Sequence, residues 1–125
     1  MNLTLNRLVN SGKKIFYLVD VPELYFDSRE CTVFRPIILP GHEPRSPCAI
    51  DRKAFDERSA DYHRIVSDLK SEFPTVKFID TYEYLCDSKY CYGSLDGELL
   101  YTGHHHLTTA GSRYLVRKLA GQLPK

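Results

Sequence analysis

The run Ile15-Phe16-Tyr17-Leu18-Val19-Asp20-Val21, closed by Pro22, decides the fold. It is almost wholly apolar and rich in β-branched and aromatic residues. Such a run reads as a strand buried on both faces, the habit of a central strand in a parallel sheet. Downstream, Val76-Lys77-Phe78-Ile79-Asp80 gives a second short strand. Between the two lies the longest helical pattern of the chain, 51–73, in which Phe55, Tyr62, Val66, Leu69 and Phe73 recur on one face among charged residues. Asp51 is placed to cap this helix and Pro74 to stop it. His63, surrounded by charged neighbours, reads as a solvated position. Strand, helix, strand is a βαβ unit, so the two strands are expected to run parallel with a right-handed crossover.

Outward from this unit the elements are smaller. Leu5, Leu8 and Val9 fall on a helical spacing that Ser11-Gly12 terminates. Residues 23–50 carry Pro36, Pro40, Pro44 and Pro47 with little periodicity. A loop of this length in a compact domain serves as a lid or is a surface excursion tied down for stability. Tyr82 to Cys86 suits a short helical turn. The stretch from Cys91 to Tyr101, with its Asp96-Gly97 pair, suits a small hairpin or bulged loop. A final helix carries Leu107, Ala110, Tyr114, Leu115 and Leu119 behind a Thr108 or Thr109 cap, and ends near Gly121 and Pro124.

The chain has 125 residues, 42% hydrophobic and 26% charged, which is globular composition for a single domain. A formal net charge of +1 gives no electrostatic case for nucleic acid or an anionic membrane. No apolar run reaches the roughly 20 residues that cross a bilayer, and residues 1–14 lack the apolar core of a secretory signal. Four cysteines fall into two close sequential pairs, suggesting Cys31–Cys48 and Cys86–Cys91 disulfides among three connectivities. Disulfides imply an oxidising compartment. An alternative zinc set joins Cys86 and Cys91 to two histidines, His104 and His106. No cofactor motif is present.

The chemistry concentrates in Leu100-Tyr101-Thr102-Gly103-His104-His105-His106-Leu107-Thr108, followed by Gly111. Histidine titrates nearest neutrality, and a histidine between a strand and a helix is held firmly while facing a cleft. This block resembles the last sequence block of SGNH hydrolases. More closely it is similar to the carboxy-terminal SGNH domain of bacterial membrane O-acyltransferases of acyltransferase family 3. Gly12-Lys13-Lys14 before the first strand, Val21-Pro22 after it, the cysteine-bearing loop, and Leu85-Cys86 with Cys91 agree with that resemblance.

The resemblance implies an α/β fold, a three-layer flavodoxin-like parallel sheet, of which residues 1–125 would form one partial domain: the C-terminal portion with its βαβ unit and flanking helices. It implies His106 as general base, acting on acylated sugars or glycans of the cell surface in a periplasmic or extracytoplasmic setting. It also implies a membrane acyltransferase domain upstream. Gly103 stands where the family's Asp orients the histidine, and no serine here lies in the family's Gly-Asp-Ser context. In a serine protease triad, losing the acidic member costs about 10⁴ in turnover. The expectation is therefore an incomplete catalyst, either a truncated enzyme or a degenerate relative. The competing expectation is a non-catalytic glycan-binding or scaffolding remnant, with Tyr90, Tyr92 and Tyr101 as stacking surfaces. Two parallel strands make a thin sheet. Its bare edge is expected to be completed by strands before Met1 or by a second copy in a homodimer.

Overall fold

A computed structural model describes residues 2–32 and 43–124. The first helix, α1 (Asn2–Asn10), ends where Gly12 takes φ +71° and donates its N–H to Val9. Leu5 is buried but Leu8 is exposed, so the face of α1 that packs is narrower than its apolar spacing suggests. Strand β1 (Phe16–Val19) follows and pairs in parallel with β3 (Lys77–Asp80), Tyr17 opposite Phe78 and Leu18 opposite Ile79. The βαβ reading of the sequence is thus realised as a parallel pair.

Alternation along these strands places helices on both faces. Tyr17 and Phe78 join Leu5 of α1, Leu69 of α3 (Ala60–Glu72) and Phe73 just after it. Phe16 and Ile79 join Leu115 and Leu119 of the last helix, α5 (Thr109–Leu119). The result is an α/β domain with helices flanking the sheet. Where the strands end, the buried Thr81 hydroxyl donates to the Val19 carbonyl at 2.6 Å, and the Tyr62 hydroxyl accepts from the Asp20 N–H at 3.1 Å. Lys70 bridges both oxygens of Asp80 at 2.9 Å.

Several expectations need correction. The first strand is not buried on both faces: Leu18 is 46% exposed, and among the described residues β1 has no strand on its second edge. The helix expected over 51–73 is two helices, α2 (Arg52–Arg58) and α3, broken at Ser59. The Ser59 hydroxyl donates to the Phe55 carbonyl at 2.6 Å beside the Ser59 N–H bond to the same oxygen at 2.9 Å, and such back-bonding bends a helix. Asp51 stands before α2 without a side-chain capping bond. It closes β2 (Ala49–Asp51), which pairs antiparallel with β4 (Tyr90–Tyr92). His63 is not a solvated position, because its ring stacks on Tyr82 at 4.8 Å and meets Phe55 edge-on at 5.4 Å.

The remaining elements carry the functional loop. The short α4 (Tyr82–Leu85) leads to β4, and β5 (Ser94–Leu95) pairs with β6 (Glu98–Leu99). Asp96 and Gly97 both take positive φ at the tip, the conformation their pair suits. Both disulfides, Cys31–Cys48 and Cys86–Cys91, form and pack against the cluster of Leu24, Phe26, Phe55, Leu85, Leu100 and Tyr101. This cluster is the floor on which the histidine loop rests. Part of the proline-rich 23–50 segment read as a lid, residues 33–42, lies outside the described residues. No described helix is long and apolar enough to cross a membrane.

Candidate functional site

The histidine stretch is the tip of a tight antiparallel pair, β7 (Tyr101–Thr102) against β8 (His106–Leu107). Gly103 turns the chain at φ +69°, a conformation glycine adopts without steric cost. Leu100 fixes the base of the loop: its N–H bonds the Gly93 carbonyl at 2.9 Å, and its carbonyl accepts from the Thr108 N–H at 2.9 Å. Thr108, not Thr109, caps α5. Its hydroxyl accepts from the Gly111 N–H at 3.0 Å and donates to the Leu99 carbonyl at 2.8 Å. Gly111 brings α5 directly against the backbone of Leu100, with no room between them for a side chain.

His104, His105 and His106 are exposed and lean on one another, with ring centroids 4.4 and 4.0 Å apart. His106 sits at the turn end of the ladder, paired through its backbone with Thr102, while Leu107 opposite Tyr101 leads on to α5. Gly103 supplies no carboxylate to orient it. The acidic groups beside the loop come instead from the segment after β1, a contribution sequence reasoning missed. Glu23 stands 4.0 Å from His104, the only histidine–carboxylate pair at that distance among the described residues. Asp27 lies close enough for His104 to favour its charged form. Its carboxyl is held down to about 2, chiefly by the hydrogen bond from the Arg29 guanidinium and then by the Arg29 N–H. The one available signal was their place just past the end of β1, where open α/β sheets gather their ligand groups.

Backbone bonds bring the two segments together. The Leu24 N–H bonds the His104 carbonyl, and the Ser28 N–H bonds the Gly103 carbonyl, each at 2.8 Å. Asp27 caps the 3₁₀ turn Ser28–Cys31, whose last residue enters the first disulfide.

The other residues singled out by sequence divide clearly. Cys86 and Cys91 are bonded to each other, so neither offers a thiolate, and the zinc set with His104 and His106 is corrected on that ground. Tyr101 is 1% exposed and cannot stack against a sugar. Its hydroxyl is buried without a hydrogen-bond partner among the described residues, and burial pushes its pKa upward, with Asp20 adding to the effect. Tyr90 and Tyr92 are half-buried and meet edge-on at 6.1 Å. The Tyr92 hydroxyl donates to the Asp87 carboxylate, which lowers the Asp87 pKa and raises that of Tyr92.

Comparison with known proteins gives two matches. The family model described as "SGNH domain (fused to AT3 domains)" covers residues 1–121. Among solved structures, the chain is similar to the periplasmic domain of a lipopolysaccharide acetyltransferase from Salmonella ser. Paratyphi A. That likeness has 17% identity and a TM-score of 0.54, over 88% of this chain and 41% of that one. It establishes the fold. The chain thus spans less than half the length of that relative. No curated protein matches it.

Proposed function

The chain belongs to the family of SGNH domains fused to AT3 domains, and from that premise we propose that it serves the transfer or removal of O-acyl groups on cell-surface glycans. His106 is the general base of this reading, taking a proton from the attacking hydroxyl, and Gly103 is the vacant acid position. The observation that carries it is the fixed seat of His106. The β7–β8 pairing, the Thr108 cap and the close approach of Gly111 to Leu100 together hold the backbone that carries the His106 imidazole. Two disulfides, together with the periplasmic location of the lipopolysaccharide acetyltransferase relative, support an extracytoplasmic setting.

Without a carboxylate at position 103 the imidazole is poorly oriented, so turnover by this chain is expected to be low. Hydrolysis of p-nitrophenyl acetate tests the base. The wild-type rate should exceed that of His106→Ala, while His104→Ala, a neighbouring exposed imidazole, controls for unspecific histidine reactivity. Equal rates for wild type and His106→Ala would sink the catalytic role. Gly103→Asp is the constructive test. A Cβ there meets nothing within 4 Å, and aspartate is among the residues that tolerate positive φ. A gain of tenfold or more would identify position 103 as the missing acid.

A second reading is favoured by the absence of a carboxylate beside His106 among the described residues. In it the domain binds glycan without acting on it. Glycan binding that survives His106→Ala, joined to no esterase activity in Gly103→Asp, selects this reading.

A further inference from the structure

Tyr25 is one of two non-glycine residues with positive φ among the described residues, at +61°. The other, Asp96, sits at a hairpin tip and is of a type that tolerates this region. A bulky aromatic residue does not, so the conformation is held by its surroundings. The Leu24 N–H bond to His104 and the Ser28 N–H bond to Gly103 bracket Tyr25 and impose the turn.

Core packing does not account for the strain. Leu24 and Phe26 point into the core and are buried, whereas Tyr25 between them is 37% exposed. It lines a groove of about 640 Å³ with Phe26, Arg45, Asp51, Arg58 and Tyr90. The floor of this groove is apolar and its exposed rim is polar. The Arg58 guanidinium lies 4.2 Å over the Tyr25 ring, and that of Arg45 lies 4.0 Å over Phe26. With Arg58 over one face, the rest of the exposed Tyr25 ring lies beside guanidinium donors and the Asp51 carboxylate and offers stacking beside both donors and acceptors. A pyranose ring, with an apolar C–H face and a rim of hydroxyls, matches that set. A purely apolar ligand would leave the charged rim unpaired.

We propose that the Tyr25 groove is a saccharide-binding subsite, with the Tyr25 ring as platform and Arg58 and Asp51 as hydroxyl partners. It rests on the glycan reading of the domain and names where the sugar sits: on the segment whose backbone is bonded to the histidine loop.

Retention on an array of defined pyranose oligosaccharides from bacterial surfaces tests the subsite, with wild type, Tyr25→Phe, Tyr25→Gly and Arg58→Gln compared. Wild type and Tyr25→Phe should be retained on the same sugars. Tyr25→Gly should bind at least tenfold more weakly while melting at or above the wild-type temperature, because glycine relieves the positive φ. Arg58→Gln, altered at an exposed position, should weaken binding several-fold and guards against a folding artefact. Retention of Tyr25→Gly and Arg58→Gln equal to wild type would overturn the subsite and leave the glycan reading standing. If wild type is retained on no sugar, or a short peptide displaces the sugar at lower concentration than free sugar does, the subsite is refuted. His106-dependent hydrolysis of p-nitrophenyl acetate then reports separately whether the acyl-transfer reading survives.

Discussion

Replacing Gly111 with alanine probes the contact that seats the histidine loop on α5. A Cβ at this position would stand 2.9 Å from the carbonyl carbon of Leu100 and 3.1 Å from its Cα, and closer still to the carbonyl oxygen. All of these are backbone atoms, so no side-chain rotation relieves the clash. Nor is Leu100 free to retreat, since its N–H is bonded to Gly93 and its carbonyl to Thr108. Carbon atoms pack best at about 3.5–4.0 Å, so the carbonyl carbon alone demands a separation of roughly 0.6–1.1 Å, and the nearer oxygen demands more. Overpacking of this kind costs about 3 kcal/mol at the upper end of its usual range. Alanine recovers about 1 kcal/mol through its better helix propensity. The net expectation is a loss of about 2 kcal/mol, which for a domain of this size lowers the melting temperature by roughly 8 °C. Thermal unfolding followed by circular dichroism measures it, with Gly121→Ala as the control, because a Cβ at 121 meets nothing within 4 Å. A Gly111→Ala protein that melts within 2 °C of wild type would show that the contact is loose and that His106 is not held as described.

Two further outcomes follow from single hydroxyls. Thr108→Ala removes both the cap on the Gly111 N–H and the bond to the Leu99 carbonyl; urea unfolding should register a loss of about 1–2 kcal/mol, with Thr108→Ser restoring most of it, and an unchanged midpoint would refute the cap. Tyr101→Phe deletes a buried hydroxyl that lacks a partner among the described residues, and should stabilise the fold by about 1 kcal/mol. Because the folded-state pKa of Tyr101 is raised, its share of stability is intact below the unfolded value near 10 and is lost as pH climbs beyond it. The phenylalanine variant should therefore lose stability less steeply than wild type above pH 10, and identical alkaline slopes would contradict the assignment.

Much of this was legible in local sequence, and the exceptions have physical causes. The apolar runs that became β1 and β3 are self-announcing because both strands bury Val19 and Ile79. The exposure of Leu18 could not be read, since it depends on what lies beside the second edge of β1 and not on the run itself. Ser59 breaks a helix whose apolar spacing continues across it, because back-bonding of its hydroxyl to the Phe55 carbonyl bends the chain there. Strand β2 escaped notice for a different reason. It is three residues long, and its partner, Tyr90–Tyr92, is distant in sequence. At the candidate site, the histidine block is visible in the sequence, whereas the approach of Glu23 to His104 is not, because it is created by backbone bonds between segments far apart in the chain.

Those same bonds bear on what the proline-rich segment can do. A lid must leave its seat without breaking the core beneath it. Here Leu24 is bonded to His104, Ser28 to Gly103 and Arg45 to the Glu30 carbonyl, while Cys31 is joined to Cys48. Leu24 and Phe26 are buried in the cluster that also holds Leu100 and Tyr101. Lifting this part of the segment would expose that cluster and strip Gly103 and His104 of their backbone bonds to Ser28 and Leu24. The described portion of 23–50 is therefore tied down, and it holds Glu23 4.0 Å from His104 with Asp27 close by. Under the function proposed above, a substrate of His106 meets a preformed surface along 23–28, so changes there should alter recognition without first passing through a closure step.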